Sequence, residues 1–394
     1  MIKNLNTFDL KDKRVLLRVD FNVPLDKGVV EDDFRIRSAL PTIEYCLKQC
    51  AGVVIMSHLG RPNGRVDKNF SLIPVGESLA DLLEMPIKFS DNCVSEDAHD
   101  TSLGISTGEI HLLENLRFHK EETLNNQYFS MQLAKHGQVF INDAFGTAHR
   151  THASNVGIVH HFKQKGMGFL MEKEYMFLKE SFESPKRPLT MILGGAKIGT
   201  KLTLINRFLN KSDLLLIGGG MAFTFLKAKG YNIGNSLVDE KMLSTAKQIM
   251  DSAKQRNVTI ILPSDFLCAE NLEAKPEGVF SNRDIPDDLM GLDIGPNTII
   301  KFNKYIGQSN TILWNGPMGV FENEHYTNGS KEVAKKLAEI NDNGALVIVG
   351  GGETAAAIRK FGFQNNVTHV STGGGASLEL LSGKTLPAFS ALEL

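Results

Sequence analysis

Ala345-Leu-Val-Ile-Val-Gly-Gly-Gly-Glu-Thr354 is an apolar, strand-like run that breaks into glycines and then opens a helix-like stretch. The pattern recurs in Met191-Ile-Leu-Gly-Gly-Ala-Lys197, Leu214-Leu-Leu-Ile-Gly-Gly-Gly-Met221 and His369-Val-Ser-Thr-Gly-Gly-Gly-Ala376. Such a turn exposes backbone N–H groups at the carboxyl end of a strand and the start of a helix, where an anion is attracted. One turn of this kind is a weak signal. Four of them in the second half of one chain point to a phosphorylated ligand, best a nucleotide, along one edge of a sheet.

Outward from these turns, short apolar runs alternate with amphipathic stretches. Strands are expected at 14–19, 52–56, 110–113 and 139–141, then at 189–193, 214–217, 259–262, 311–314, 345–349 and 368–370. Helices are expected at 40–49, 73–83, 128–135, 201–209, 241–255 and 330–340. Continuous apolar strands alternating with helices indicate α/β architecture with parallel sheets buried on both faces. A chain of 394 residues is long for one core, so two α/β units are expected. Glu172-Lys-Glu-Tyr-Met-Phe-Leu-Lys-Glu-Ser-Phe182 reads as a connecting helix that ends at Ser184-Pro-Lys-Arg-Pro188.

Composition narrows the function classes. A formal net charge of -2 gives no bulk attraction to nucleic acid or membranes. No apolar run approaches the ~20 residues that cross a bilayer. The N-terminus lacks the apolar core of a signal peptide. Cys46, Cys50, Cys93 and Cys268 have neither zinc nor disulfide-framework spacing, and Cys46 and Cys50 fall on one face if a helix carries both. Free thiols fit a reducing, cytoplasmic setting.

The halves differ in chemistry. Eight arginines precede the boundary and five follow it. In the first half, Arg18-Val-Asp-Phe-Asn-Val-Pro24, Ser57-His-Leu-Gly-Arg-Pro62, Glu114-Asn-Leu-Arg-Phe-His119 and Asn142-Asp-Ala-Phe-Gly-Thr-Ala-His-Arg150 each follow an expected strand. Ligands of parallel sheets bind outside the strands' carboxyl ends, so these loops should converge. Arg61, Arg117 and Arg150 would then offer planar donor forks to phosphate or carboxylate, with Asp20 and Asn22 holding hydroxyls. Arg35 reads equally as a ligand or as a charged helix entry. His149, His152, His160 and His161 lack metal-ligand spacing and read as site-lining or surface residues.

In the second half Lys197 and Lys201 share a face if a helix starts at the first glycine pair, near enough to its N-terminus to neutralise phosphoryl oxygens. Gly383-Lys384-Thr385 is not a P-loop, because position 378 is leucine. Trp314-Asn-Gly-Pro-Met-Gly-Val-Phe-Glu322 is either a wall for base and ribose, with Glu322 accepting hydroxyls, or an ordinary turn with a surface carboxylate. Glu353 and Thr354 suit a helix cap, a magnesium contact, or both. Two other readings use parts of this pattern: a nucleotide-dependent dehydrogenase, from the glycine turns alone, and a non-catalytic two-lobed binding protein, from the arginines alone.

Together these motifs, with Leu113-Glu-Asn-Leu-Arg-Phe118, Gly194-Gly-Ala-Lys197, Trp314-Asn-Gly-Pro317 and Ser371-Thr-Gly-Gly-Gly-Ala376, resemble the phosphoglycerate kinase family in order over essentially the whole chain. The resemblance implies two Rossmann-like domains facing across a cleft: 1–168 for phosphoglycerate, 185–378 for nucleotide, a hinge helix at 169–184, and a segment near 379–394 packing back on the first domain. It implies reversible, in-line transfer of the acyl phosphate of 1,3-bisphosphoglycerate to ADP, with Mg2+ and domain closure, by a monomer. It places Asp20, Phe21, Asn22, Arg35, His58, Leu59, Gly60, Arg61, Arg117 and Arg150 at phosphoglycerate. It places Gly195, Lys201, Gly219, Gly291, Asn315, Glu322, Gly351, Gly352, Glu353 and Thr354 at the nucleotide. Arg35, Lys197, Lys201, Gly351 and Gly374 are implied at the transferring phosphoryl group. Family members usually carry aspartate where this chain has Glu353, so its carboxylate toward magnesium reaches one methylene further.

Overall fold

Runs of four or five apolar residues form the inner strands of two parallel sheets in a computed structural model that describes residues 2–196 and 198–393. In one unit β1 (Arg14–Arg18), β2 (Gly52–Met56), β3 (Ile87–Ser90), β4 (Ile110–Leu113), β5 (Val139–Asn142) and β6 (Lys165–Met167) lie in the order β3-β4-β2-β1-β5-β6, all parallel. Every residue of β2, β4 and β5 is buried, so these strands show no polar alternation. β3 and β6 escape the sequence reading because they are short and partly polar.

The second unit holds β7 (Leu189–Leu193), β8 (Leu214–Ile217), β9 (Thr259–Ile261), β10 (Asp265–Ala269), β11 (Gly278–Ser281), β12 (Met290–Ile294), β13 (Thr311–Asn315), β14 (Leu346–Gly350) and β15 (His369–Val370). Its main sheet runs β9-β8-β7-β13-β14-β15, all parallel. The chain works outward from β7 on one side and then from β13 on the other, so the topological switch lies between them. Both expected parallel sheets are present, and β11-β10-β12 add a separate antiparallel sheet.

Register explains why the motif loops gather. Arg18 pairs with both Met56 and Asn142, so the loops after β1, β2 and β5 leave the sheet at one level. Leu193 likewise pairs with Ile217 and Asn315, and Asn315 with Gly350, which aligns four loops of the second unit.

The first long helix spans Phe34–Lys48 rather than starting at residue 40. Pro41 removes one N–H from its interior. The helix continues because Ile36, Ala39, Ile43 and Cys46 form a buried stripe at helical spacing. Its early start places Arg35 in the first turn. It ends at Lys48, so exposed Cys50, at φ 57°, shares no helix face with buried Cys46.

The division between units, Met1–Met176 with Lys384–Leu394 and Phe177–Gly383, falls inside one helical run. That run is α-helical over Phe169–Tyr175, π-helical over Met176–Glu180 and α-helical over Ser181–Glu183. The last helix, Pro387–Glu393, belongs to the first unit. The Ala388 N–H donates to the Ala148 carbonyl at 3.1 Å, and Phe389 lies 5.0 Å, ring to ring, from Tyr175.

Candidate active site

In the first unit the loops beyond β1, β2, β4 and β5 build a cationic site from interlocked side chains. Arg35 Nη1 donates to Asp20 Oδ2 at 2.8 Å. Asn22 Oδ1 accepts from the Gly60 N–H at 2.8 Å, and Arg117 Nη1 donates to the Gly60 carbonyl at 2.6 Å. Gly60 has φ 60°, and a Cβ there would strike the Phe70 ring, so this crossing requires glycine. Asn115 bonds both backbone groups of Leu59 and the Phe70 carbonyl.

Arg61, Arg117, Arg150, His119 and His152 line a cavity of about 610 Å³. Burial lowers the Arg150 pKa, and Arg61 and Arg35 lower it further against the pull of Asp20. Crowded like charges of this kind are relieved by a bound anion. Two residues contribute differently from the expectation. The Phe21 ring and Leu59 side chain are buried in the apolar core, and their N–H groups are taken by Ser57 Oγ and Asn115 Oδ1, so neither offers a free donor to a ligand. His58 is 2 % exposed, and burial first, then Arg18, Arg150 and Arg35, hold its pKa well below the usual imidazole value.

The sequence reading passed over a buried chain beneath this site. Arg18, Ser154 and Glu122 are each 0% exposed. Arg18 Nε donates to Ser154 Oγ at 2.8 Å, and Ser154 Oγ donates to Glu122 Oε1 at 2.7 Å. Burial pushes the Glu122 carboxyl up, but His152, Arg18 and Ser154 outweigh it and hold it below the usual range. Arg18 opens a motif already singled out, yet its partners lie over 100 residues away and leave no local signal.

In the second unit a cavity of about 430 Å³ is floored by Gly195, Gly219 and Gly220 and walled by Phe223, Leu237, Phe266, Met290, Pro317 and Met318. Gly291, Glu322 and Glu353 also line it. A Cβ on Gly291 would meet Phe223, and one on Gly219, at φ 59°, would come within 2.5 Å of the Gly195 nitrogen. Phe266 and Met290 come from the antiparallel sheet, which is why the sequence reading lacked them.

Among the described residues, Lys201 is the half-buried cation beside this cavity. Its Nζ donates to the Asn315 carbonyl at 3.1 Å and to Asn315 Oδ1, while Asn315 Nδ2 donates to the Gly350 carbonyl at 2.9 Å. Burial lowers its pKa to about 8, with Glu353 opposing. Asn315 therefore ties Lys201 to the ends of β13 and β14.

Several expectations change. The helix spans Leu202–Phe208 and follows a 3-10 turn at Gly199–Lys201, so the one-face argument for the lysines does not apply. Lys197 lies outside the described residues. The N–H groups of Gly195 and Gly219 are not free for phosphate: they donate to the carbonyls of Pro317 and Met318. Gly351, at φ 92°, and Gly374, at φ 51°, precede the helices Gly352–Lys360 and Gly375–Leu381. Neither Glu353 nor Thr354 caps a helix: the N-cap is Gly351, and Thr354 Oγ1 accepts from the Gly316 N–H at 2.6 Å.

Among the described residues no group of three or more acidic, histidine or cysteine side chains gathers to hold a metal. Glu353 Oε2 and Lys201 Nζ lie 3.7 and 4.0 Å from where a Cβ on Gly195 would sit. The Glu353 carboxylate beside the Lys201 ammonium would fit a magnesium ion that arrives on phosphates and keeps most of its waters.

The sequence model described as phosphoglycerate kinase matches residues 5–384. The chain belongs to the phosphoglycerate kinase family. The phosphoglycerate kinase of Clostridium botulinum (strain 657 / Type Ba4) is 46% identical over 393 residues, covering 99% of this chain and 98% of the relative. That of Thermosipho africanus (strain TCF52B) is 47% identical over 390 residues, covering 98% and 97%. Among solved structures, phosphoglycerate kinase from Coxiella burnetii matches with TM-score 0.89 and 38% identity, covering 100% of this chain and 99% of that one. The Pyrococcus horikoshii OT3 enzyme matches with TM-score 0.85 and 32% identity, covering 100% and 98%.

Proposed function

We propose that this chain catalyses reversible transfer of the acyl phosphate of 1,3-bisphosphoglycerate to ADP, giving 3-phosphoglycerate and ATP. The carrying observation is a pairing of unlike cavities at strand carboxyl ends: one walled by Arg61, Arg117 and Arg150, the other glycine-floored and apolar with Lys201 beside it. The first suits phosphoglycerate, with Asp20, Asn22, Arg35 and His58 orienting it. The second suits a nucleotide, its base against Phe223 and Leu237 and its ribose near Glu322. Glu353 approaches magnesium carried by the nucleotide, and the ion neutralises charge on the phosphates.

The acceptor is an anion in both directions, so the chain need supply no general base. Arg35, Lys201 and the backbone N–H groups near Gly351 and Gly374 stabilise the phosphoryl charge as it moves in line. Transfer requires the two bound substrates to be brought together with water excluded. The chain acts as a monomer in the cytoplasm, without nucleic acid or membrane. Among the described residues no helix is long and apolar enough to cross a membrane, and Cys46, Cys50, Cys93 and Cys268 are free thiols.

One assay tests the reading: 3-phosphoglycerate plus MgATP, with 1,3-bisphosphoglycerate detected through a coupling enzyme. Turnover that requires both substrates is expected. No turnover, or tight NADH binding with none for MgADP, defeats the proposal in favour of a dehydrogenase-like protein.

A further inference from the structure

His58 offers one ring nitrogen to the protein and keeps the other back. Its Nδ1 lies 3.3 Å from Arg18 Nη2 and 3.8 Å from Asp20 Oδ1. The second distance is beyond a hydrogen bond, so Arg18 is the partner. A guanidinium has only donors, so Nδ1 must present its lone pair and the proton must sit on Nε2. Nε2 has no hydrogen-bond partner among the described residues.

Arg18 cannot turn away from this duty. It is fully buried, its Nε is held by Ser154 and its Nη1 donates to the Val19 carbonyl. Ser154 is held in turn by Glu122, which receives the Ser154 N–H at 3.0 Å as well as its hydroxyl. All three guanidinium nitrogens are thus committed, and the plane of the fork is fixed.

We propose that Arg18 is a positioning residue that locks His58 as the Nε2–H tautomer, so that His58 meets an anionic substrate as an uncharged donor. This rests on the phosphoglycerate reading of the first unit for its ligand, but not for its tautomer. The arrangement adds a donor to the site without adding a fifth cation beside Arg35, Arg61, Arg117 and Arg150. It also leaves His58 insensitive to pH across the neutral range, unlike an ordinary histidine.

The test is long-range proton–nitrogen NMR on the full chain with 15N-labelled histidine, His58 being assigned from its loss in His58→Gln. The Nε2–H pattern, unchanged from pH 8 to pH 6, is expected in the free protein. An Nδ1–H pattern, or titration of His58 near its ordinary value, overturns the proposal. Arg18→Gln should free the ring to exchange tautomers and raise KM for 3-phosphoglycerate about tenfold, with kcat within about threefold. In a His58→Gln background the same change should alter KM by less than about twofold, because the effect passes through the ring. Equal effects in both backgrounds sink the positioning role. Should Arg18→Gln not fold, Ser154→Ala decides: loss of its anchor should broaden or shift the His58 signals, and an unaltered spectrum counts against the lock. A normal Nε2–H spectrum with KM unchanged in His58→Gln would instead defeat the phosphoglycerate reading alone.

Discussion

Arg35, Arg117 and Arg18 of the first unit reach their positions through ion pairs and hydrogen bonds to Asp20, Gly60, Ser154 and His58. The second unit builds its cavity from Gly195, Gly219, Gly220 and Gly291, positions where a Cβ would fill space or force strain, and sets the half-buried Lys201 beside it. The first site is side-chain chemistry held in place by other side chains. The second is backbone shape, with charge brought by Lys201. Under the proposed function the difference follows the ligands: a small, highly charged acid needs donors from many directions, whereas a nucleotide offers a flat base that an apolar wall recognises.

The largest effects should come where each site commits charge to the transferring group. Arg35→Ala and Lys201→Ala are each expected to lower kcat by about 10²–10³ while the opposite substrate still binds. Steady-state kinetics with calorimetric binding of each substrate checks this. An Arg35→Ala enzyme with near-normal turnover that still binds both substrates removes the catalytic role, and makes Arg35 the charged helix entry its sequence also allows.

How legible these sites were depended on the distance over which each is built. The strand runs Gly52–Met56, Ile110–Leu113, Leu189–Leu193 and Leu214–Ile217 match their expected bounds, because full or nearly full burial writes itself into consecutive residues. The glycine turns and arginine loops follow those strands directly and were legible too. The antiparallel sheet was not, since Gly278–Ser281 is short and half exposed, and Asp265–Ala269 and Met290–Ile294 interrupt their apolar runs with aspartate or glycine. Arg18 was invisible as a positioning residue because Ser154 lies 136 residues away. The amide groups of Gly195 and Gly219 were misjudged for the same reason: their acceptors, Pro317 and Met318, arrive from a distant loop.

The units should also part under acid. In the first unit the His136 Nε2–H donates to the Cys93 carbonyl at 3.0 Å, so its Nδ1 accepts from Ser102, and Ser102 in turn receives His111 Nδ1–H at 2.8 Å. Burial lowers His111 to about 4 and His136 to about 3. Below pH 6.5 the unfolded chain takes up protons that these folded histidines refuse, so stability is lost as pH falls. At pH 5 the loss is at most about 2 kcal/mol per histidine. Burial raises Asp143 in the same unit to about 6, which offsets part of it. In the second unit burial raises Asp293 to about 7, so the folded form holds a proton the unfolded chain has released, and stability falls as pH rises from about 4 to 7. Urea unfolding followed by the single tryptophan, Trp314, reports the second unit, and hydrogen exchange in β4 reports the first. Between pH 7 and pH 5 the first should weaken relative to the second. A parallel shift of both would show that these buried groups do not set the difference.

Backbone shape can be broken without touching charge. Gly219→Ala places a Cβ 2.5 Å from the Gly195 nitrogen at φ 59°. Strain of about 1–3 kcal/mol in that loop should raise KM for ADP about tenfold. Phosphoglycerate binding, measured by calorimetry, should stay unchanged. Weakening of both would mean that the second site is not defined by its glycine floor.

The smallest effect tests whether the extra methylene of Glu353 matters. Its Oε2 lies near the same point beside Gly195 as Lys201 Nζ, and its charge supports that of Lys201. Magnesium is held closely in octahedral geometry, but water in its shell absorbs a change of one methylene when a carboxylate contacts it indirectly. Glu353→Asp should therefore shift the half-saturating Mg2+ concentration by less than about threefold, and Glu353→Ala by about tenfold, as removal of an outer-shell partner does. A large shift for Glu353→Asp would mean direct ligation that the longer side chain alone can reach. An unchanged magnesium dependence in Glu353→Ala would leave the carboxylate only its support of Lys201, and that second role has its own readout. Without Glu353 the Lys201 pKa should fall further below about 8, moving the alkaline limb of the pH–rate profile to lower pH even where magnesium saturates.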